Sequence, residues 1–232
     1  MRKQQQIWLE EHEKVRTLPA MASKRPHGSV LRFLEIIQGQ LVAGAPRQAV
    51  DIGCGKGRNT VYLAEQGFDV YAMDYIDIAL DLTKERAIAK NVSDKVRTSL
   101  TPIDQTWPFT DDFFDIAVDC FASIDIETKE GREMYKSEMF RTLKPGGFTL
   151  VVVVSAKDEM EAELARVSPG SEKNSTIWPE TEKFQKNYAD EELRQFYHEF
   201  EVLSLEVKQQ PAFKLGKSYT ATDIWLTLRK PS

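Results

Sequence analysis

Between Val50 and Asn59 the chain reads VDIGCGKGRN: an apolar run, an acid, then three glycines at alternate positions. Glycine accepts positive φ and lets a second group approach the backbone closely. Gly53, Gly55 and Gly57, set directly after a strand-like segment, therefore point to a ligand lying against the turn. Acids recur at comparable places downstream. Asp74 stands 21 residues beyond Gly53 at the end of FDVYAMD, Asp104 precedes Gln105 after KVRTSLTPI, and Asp119 precedes Cys120 and Phe121 after FFDIAV. Together with Asp51 they suit a ligand with hydroxyls, an amine and a positive charge. A dinucleotide would also want glycines and an acid about 20 residues on. Its fingerprint is G-x-G-x-x-G, whereas here the spacing is G-x-G-x-G and Arg58 stands at the third glycine's place. Asp51 discriminates better: a carboxylate before the turn repels a pyrophosphate and suits an ammonium.

These residues need elements to position them. SVLRFLEIIQGQLVA (29–43), RNTVYLAEQG, YIDIALDLTKERAIAKN and ETKEGREMYKSEMFRTL carry apolar residues at helical spacing. QAVDIG, FDVYAMD, part of KVRTSLTPID, FFDIAVDCF and GGFTLVVVV read as strands. Continuous apolar strands alternating with helices predict a doubly wound α/β fold with a mostly parallel sheet. Ligands then sit outside the carboxyl ends of the strands, which gathers the four acids on one edge. Residues 156–187 are polar and broken by Pro169, Gly170 and Pro179, and read as an inserted loop or lid with a short helix at 157–167. DEELRQFYHEF follows as a helix with Asp190 as N-cap. EVLSLEV and ATDIWLTLR end the chain as strands. The few residues between Pro211 and Tyr219 cannot hold a helical crossover, so these two strands should be antiparallel. The reading is one domain over 29–232, preceded by a cap segment over 1–28.

Composition bounds the function. A net charge of -5 over 232 residues argues against a general affinity for nucleic acid. The longest apolar run, FTLVVVVSA, falls far short of the roughly 20 residues a bilayer needs. With no apolar signal core near Met1, a cytoplasmic location is expected. Two cysteines make no disulfide framework, and the histidines at 12, 27 and 198 show no metal-ligand spacing, so no metal is expected.

AVDIGCGKG, VYAMD, PIDQTWPFTDDFFDIAV and LKPGGFTLVV occur in that order across residues 49–154. As an ordered set they resemble the motifs of class I S-adenosylmethionine-dependent methyltransferases. The resemblance implies a seven-stranded sheet of order 3-2-1-4-5-7-6 and S-adenosylmethionine as cofactor. It implies that Gly53, Cys54, Gly55 and Gly57 pass under the methionine portion, with Asp51 near the amino group. Asp74 would accept from both ribose hydroxyls, its side chain serving the ligand rather than the fold. Tyr75 or Ile76 would lie on an adenine face, Asp104 would accept from the adenine amine, and Gln105 would meet a ring nitrogen. Asp119 to Phe121 would line the methyl-donor end.

The acceptor side is less marked. DCFAS stands after the fourth strand where an Asn/Asp-Pro-Pro-Tyr/Phe motif would mark methylation of adenine in nucleic acid. No Pro-Cys pair supplies a nucleophile for cytosine. A small-molecule acceptor is therefore expected, ahead of protein or RNA, or of binding without transfer. Trp8 and His12 lie one helical turn apart and are candidates for the acceptor pocket, with His12 titrating near neutrality as a possible base. The plainer reading of the same helix packs Ile7, Trp8 and Val15 and leaves His12 exposed. Methyl transfer from a sulfonium is an in-line displacement, so the lack of a nucleophile signature is no argument against an enzyme.

Overall fold

The computed structural model describes residues 3–14, 23–41, 47–214 and 217–232. Strands run β1 Arg47–Ile52, β2 Phe68–Asp74, β3 Val96–Leu100, β4 Phe114–Cys120 and β5 Leu143–Val154. Two short strands follow, β6 Ser175–Ile177 and β7 Phe184–Lys186, and then a long hairpin of β8 Glu201–Lys214 and β9 Lys217–Arg229. Seven of these form one sheet of order β3-β2-β1-β4-β5-β9-β8, in which β9 is antiparallel to both neighbours. The expected topology is therefore present. The hairpin reaches further than its apolar cores suggested, because backbone pairing continues to Lys214 opposite Lys217. Pro211 fits within β8 because that strand lies at the sheet's edge, where a missing N–H is tolerated.

Helices cover both faces: α1 Lys3–Lys14, α2 Gly28–Ile37, α3 Arg58–Glu65 and α4 Asp77–Ala89. Beyond β4 come α5 Lys129–Thr142, α6 Glu159–Val167 and α7 Asp190–Phe196. Strand residues alternate between two cores. Val151 and Val153 of β5 face Tyr135 and Met139 of α5 and Leu193 of α7. Phe148, Leu150 and Val152 face Phe33 of α2 and Leu63 of α3. A strand buried on both faces reads as an unbroken apolar run, which is why β5 stood out in the sequence.

Local boundaries differ in four places. α2 ends at Ile37, and residues 42–43 of its expected span lie outside the described residues. The N-cap of α7 is Ala189, not Asp190; Glu192 reaches back to the Ala189 amide (3.4 Å), and Asp190 takes the first helical position, where the helix dipole favours an acid. His198 lies beyond the end of that helix, exposed, with Nδ1 3.0 Å from the Gln195 carbonyl. The 156–187 stretch is built rather than irregular. It holds α6, capped by Asp158, and the β6–β7 pair. Among the described residues no helix is long and apolar enough to cross a membrane.

Candidate functional site

The glycine turn joins β1 to α3, and two of its glycines are consumed by packing. A Cβ on Gly53 would sit 2.4 Å from the Cβ of Ala122, and one on Gly57 would sit 2.6 Å from the Thr83 side chain. Both also hold positive φ, 62° and 71°. Gly55 serves the site itself: its amide donates to Oδ2 of Asp74 at 2.9 Å. Cys54 is buried against Ala72 and Leu80. Its amide donates to the Met73 carbonyl at 2.8 Å, which ties the turn to β2.

Asp74 ends β2 with 5% of its surface exposed. Oδ1 accepts from the Ile76 amide at 3.0 Å, so both oxygens are fixed by backbone donors. Burial, partly offset by those donors, pushes its pKa up to about 6. The carboxylate looks into a cavity of about 1000 Å³ at the carboxyl ends of the strands. Ionised, it has about four acceptor sites, so the two amides leave capacity for a vicinal diol. Tyr75, Ile76 and Asp104 continue the same wall. Their position beside Asp74 suits an adenosine-like group, and the residues present fit the donor that the sequence motifs imply.

The N-terminal helix closes this side. The Gln4 amide pairs with Phe184 of β7 in both directions, Nε2 to the carbonyl at 2.8 Å and Oε1 from the N–H at 3.2 Å. Gln5 donates to the Tyr75 carbonyl at 2.8 Å. Lys183 Nζ lies 4.6 Å from the Trp8 ring centre and 4.3 Å from that of Trp178, and 3.1 Å from an Asp125 oxygen. Trp8 and His12 both line the cavity. His12 is 6% exposed rather than solvated, its Nδ1 has no hydrogen-bond partner among the described residues, and its ring would meet a Cβ on Gly55 at 3.8 Å. Burial, aided by the charge of Lys56, lowers its pKa to about 4, so the ring is neutral at pH 7. Val15, expected to pack with this helix, lies outside the described residues.

Four of the expected site residues do not reach the cavity wall. Asp51 is 1% exposed and lies beneath the turn, accepting from Thr60 Oγ1 of α3 at 2.6 Å; burial raises its pKa to about 7. Asp119 is fully buried and accepts from Tyr135 Oη (2.7 Å) and from the amides of Ala122 (2.7 Å) and Ser123 (3.2 Å). Both acids hold neighbouring elements in place. Gly57 is packed on Thr83, and Gln105 is exposed on the turn beyond β3. Cys120 and Phe121 line the cavity as expected, and the wall also includes His27, Arg58, Lys183, Asp223 and Trp225. The one sequence cue to His27 was its place in HGS, just before a helix. Cys54, in the turn after β1, and Cys120, at the end of the neighbouring β4, face apart, Cys54 toward Ala72 and Leu80 and Cys120 toward Ser29 Oγ at 3.6 Å. Among the described residues no cluster could hold a metal ion.

A family model described as a methyltransferase domain matches residues 49–147. A probable S-adenosyl-L-methionine-dependent methyltransferase of Haemophilus influenzae is 23% identical over 76% of this chain and 51% of its own length. The chain thus spans about half the length of that curated relative. Among solved structures, a methyltransferase from Methanosarcina mazei superposes with a TM-score of 0.73 at 22% identity, covering 84% of this chain and 97% of its own. The 1,6-didemethyltoxoflavin-N1-methyltransferase of Burkholderia thailandensis, solved with its substrate and S-adenosylhomocysteine, gives 0.68 at 17% identity over 99% and 88%.

Proposed function

We propose that this chain, whose residues 49–147 match a methyltransferase-domain model, is a class I S-adenosylmethionine-dependent methyltransferase that methylates a small-molecule acceptor at the carboxyl edge of its sheet. When bound, S-adenosylmethionine supplies a methyl group already activated on a sulfonium. The chain's residues do the rest by position. Asp74 accepts from the ribose hydroxyls, Tyr75 and Ile76 flank the adenine, and Asp104 accepts from its amine. Gly53, Cys54 and Gly55 run beneath the methionine portion. The observation that carries the reading is the Asp74 carboxylate, held by two backbone amides with acceptor capacity still facing the cavity.

Residues 1–28 and the 156–187 insertion act as a cap in this reading. α1 touches the insertion through Gln4 and the donor wall through Gln5, so one helix bridges both. Trp8 and His12 then exclude water beside the reacting groups. Holding acceptor and methyl close and aligned supplies much of the rate. The methyltransferase from Burkholderia with a bound small heterocycle is a precedent for a small acceptor on this fold. The two free thiols suit a reducing compartment such as the cytoplasm.

The test is a screen of metabolites with methyl-labelled S-adenosylmethionine, read by mass spectrometry of the products. Label transferred to a small molecule, together with release of S-adenosylhomocysteine, is the expected result. Label found only on RNA or protein would replace the acceptor class, and tight donor binding without any transfer would make this a binding protein.

A further inference from the structure

Away from Asp74, three aromatic rings meet in the cavity wall. His27 lies edge-on to Phe121 (centroids 5.4 Å apart, 87° between planes) and to Trp225 (5.6 Å, 70°). All three line the cavity. They come from the start of α2, the turn after β4 and strand β9.

Each ring is held before any ligand arrives. The His27 backbone amide donates to Asn59 Oδ1 at 2.9 Å. Its Nδ1 accepts from the Ser29 amide (3.4 Å) and lies 2.7 Å from Ser29 Oγ, a side chain on a residue only 1% exposed. With Nδ1 accepting, the ring hydrogen of a neutral imidazole sits on Nε2. Burial and the Arg58 charge depress the His27 pKa to about 4, which keeps that neutral form at pH 7. Phe121 holds φ of 69°, a left-handed conformation that is an outlier for a bulky residue. Its amide is tied to the Val152 carbonyl at 3.0 Å, so the strained turn is fixed. Backbone strain of this kind gathers at ligand-binding sites. Trp225 packs its ring edge 3.5 Å from where a Gly28 Cβ would lie. Asp223 stands two residues earlier on the same face of β9 and lines the same wall.

We propose that His27, Phe121 and Trp225 form the acceptor subsite and select a planar aromatic ring carrying an oxygen or ring-nitrogen lone pair. The inference rests on the proposed methyl transfer for its place in the reaction, but the slot's preference is a binding property. Flat π faces stack on Phe121 and Trp225 while the Nε2–H of His27 meets the lone pair. A saturated ring of the same outline has no π face to offer and is too thick for close stacking. His27 is a binding residue here and not a base, since its Nδ1 is already occupied.

The probes are 4-hydroxyquinoline and its saturated counterpart, decahydroquinolin-4-ol, titrated against the full chain with S-adenosylhomocysteine present. Aromatic pairing on two faces predicts a preference of about tenfold for the planar probe. Trp225→Leu should reduce that preference to about twofold, and His27→Phe should weaken the planar probe by about fivefold, both leaving S-adenosylhomocysteine affinity within about twofold of wild type. His27→Gln, which keeps an N–H donor, should retain more affinity than His27→Phe. Phe121→Leu serves as the second variant should Trp225→Leu fail to fold. Equal binding of the two probes would overturn the proposal. So would variants that weaken S-adenosylhomocysteine as much as the planar probe, since the rings would then belong to the donor. If S-adenosylhomocysteine does not bind at all, the functional reading fails, and the same titrations without it still decide whether the slot prefers a planar ring.

Discussion

Asp74→Asn isolates the carboxylate with little change of shape. In the native protein each oxygen accepts one backbone amide, from Ile76 at 3.0 Å and Gly55 at 2.9 Å, and the group is 5% exposed. With its pKa near 6 it is largely ionised at pH 7.5. Asparagine keeps one oxygen, so one ribose hydroxyl loses its acceptor and the other meets a neutral one. Hydrogen bonds to charged groups contribute about 1.5–3 kcal/mol each, which puts the combined loss at about 2–3 kcal/mol, or about 30- to 150-fold in Kd. One of the two amides also loses its partner in a buried place, at about 1–3 kcal/mol of stability. That would lower Tm by several degrees in a chain of this size. The expectation that Asp74 serves the ligand alone is thus corrected, because the side chain also clamps the glycine turn. Titration calorimetry with S-adenosylhomocysteine, alongside a melting curve, separates the two effects. Wild-type affinity in a folded Asp74→Asn protein would refute the assignment.

Four further outcomes are expected. If Asp74 binds the ribose as proposed, only its ionised form can accept from both hydroxyls, so donor affinity should fall about tenfold per unit below pH 6 and level off above it; calorimetry across pH 5–8 checks this. The same raised pKa works the other way on stability: between about pH 4 and 6 the native state binds the extra proton, so this group's share is lost as pH rises through that window. Deleting residues 1–18 should leave a cooperative melting transition but abolish or strongly reduce turnover, with donor affinity falling less, since α1 bridges Phe184 and Tyr75; full turnover by the truncated protein would remove Trp8 and His12 from the site. Gly53→Ala should lose about 1–3 kcal/mol of stability in denaturant melts, since its Cβ would collide with Ala122 and its φ is 62°.

The strand-end acids show what a sequence can and cannot say. Asp51, Asp74, Asp104 and Asp119 all lie where the fold puts its ligand edge. Sequence position cannot tell whether such a side chain turns to the cavity or to the adjoining turn. Asp74 and Asp104 line the cavity; Asp51 turns to Thr60 and Asp119 to Tyr135. The alternate glycines read as one ligand loop, yet Gly53 and Gly57 make room for Ala122 and Thr83, residues far along the chain. His27 and Trp225 lie at opposite ends of the sequence and meet because β9 inserts between β5 and β8. Gln4 belongs to a polar QQQ run that gives no hint of burial, and only the edge of β7 supplies the backbone groups its amide pairs with.

The central claim is that the cavity beside Gly55 and Asp74 holds S-adenosylmethionine. It is tested most directly by titrating the full chain with S-adenosylhomocysteine and, separately, with NAD. Binding of S-adenosylhomocysteine with a raised Tm, and neither effect from NAD, is the predicted result; at a hundredfold excess over Kd the stabilisation should be about 2.7 kcal/mol. Stabilisation by NAD with none from S-adenosylhomocysteine would contradict it.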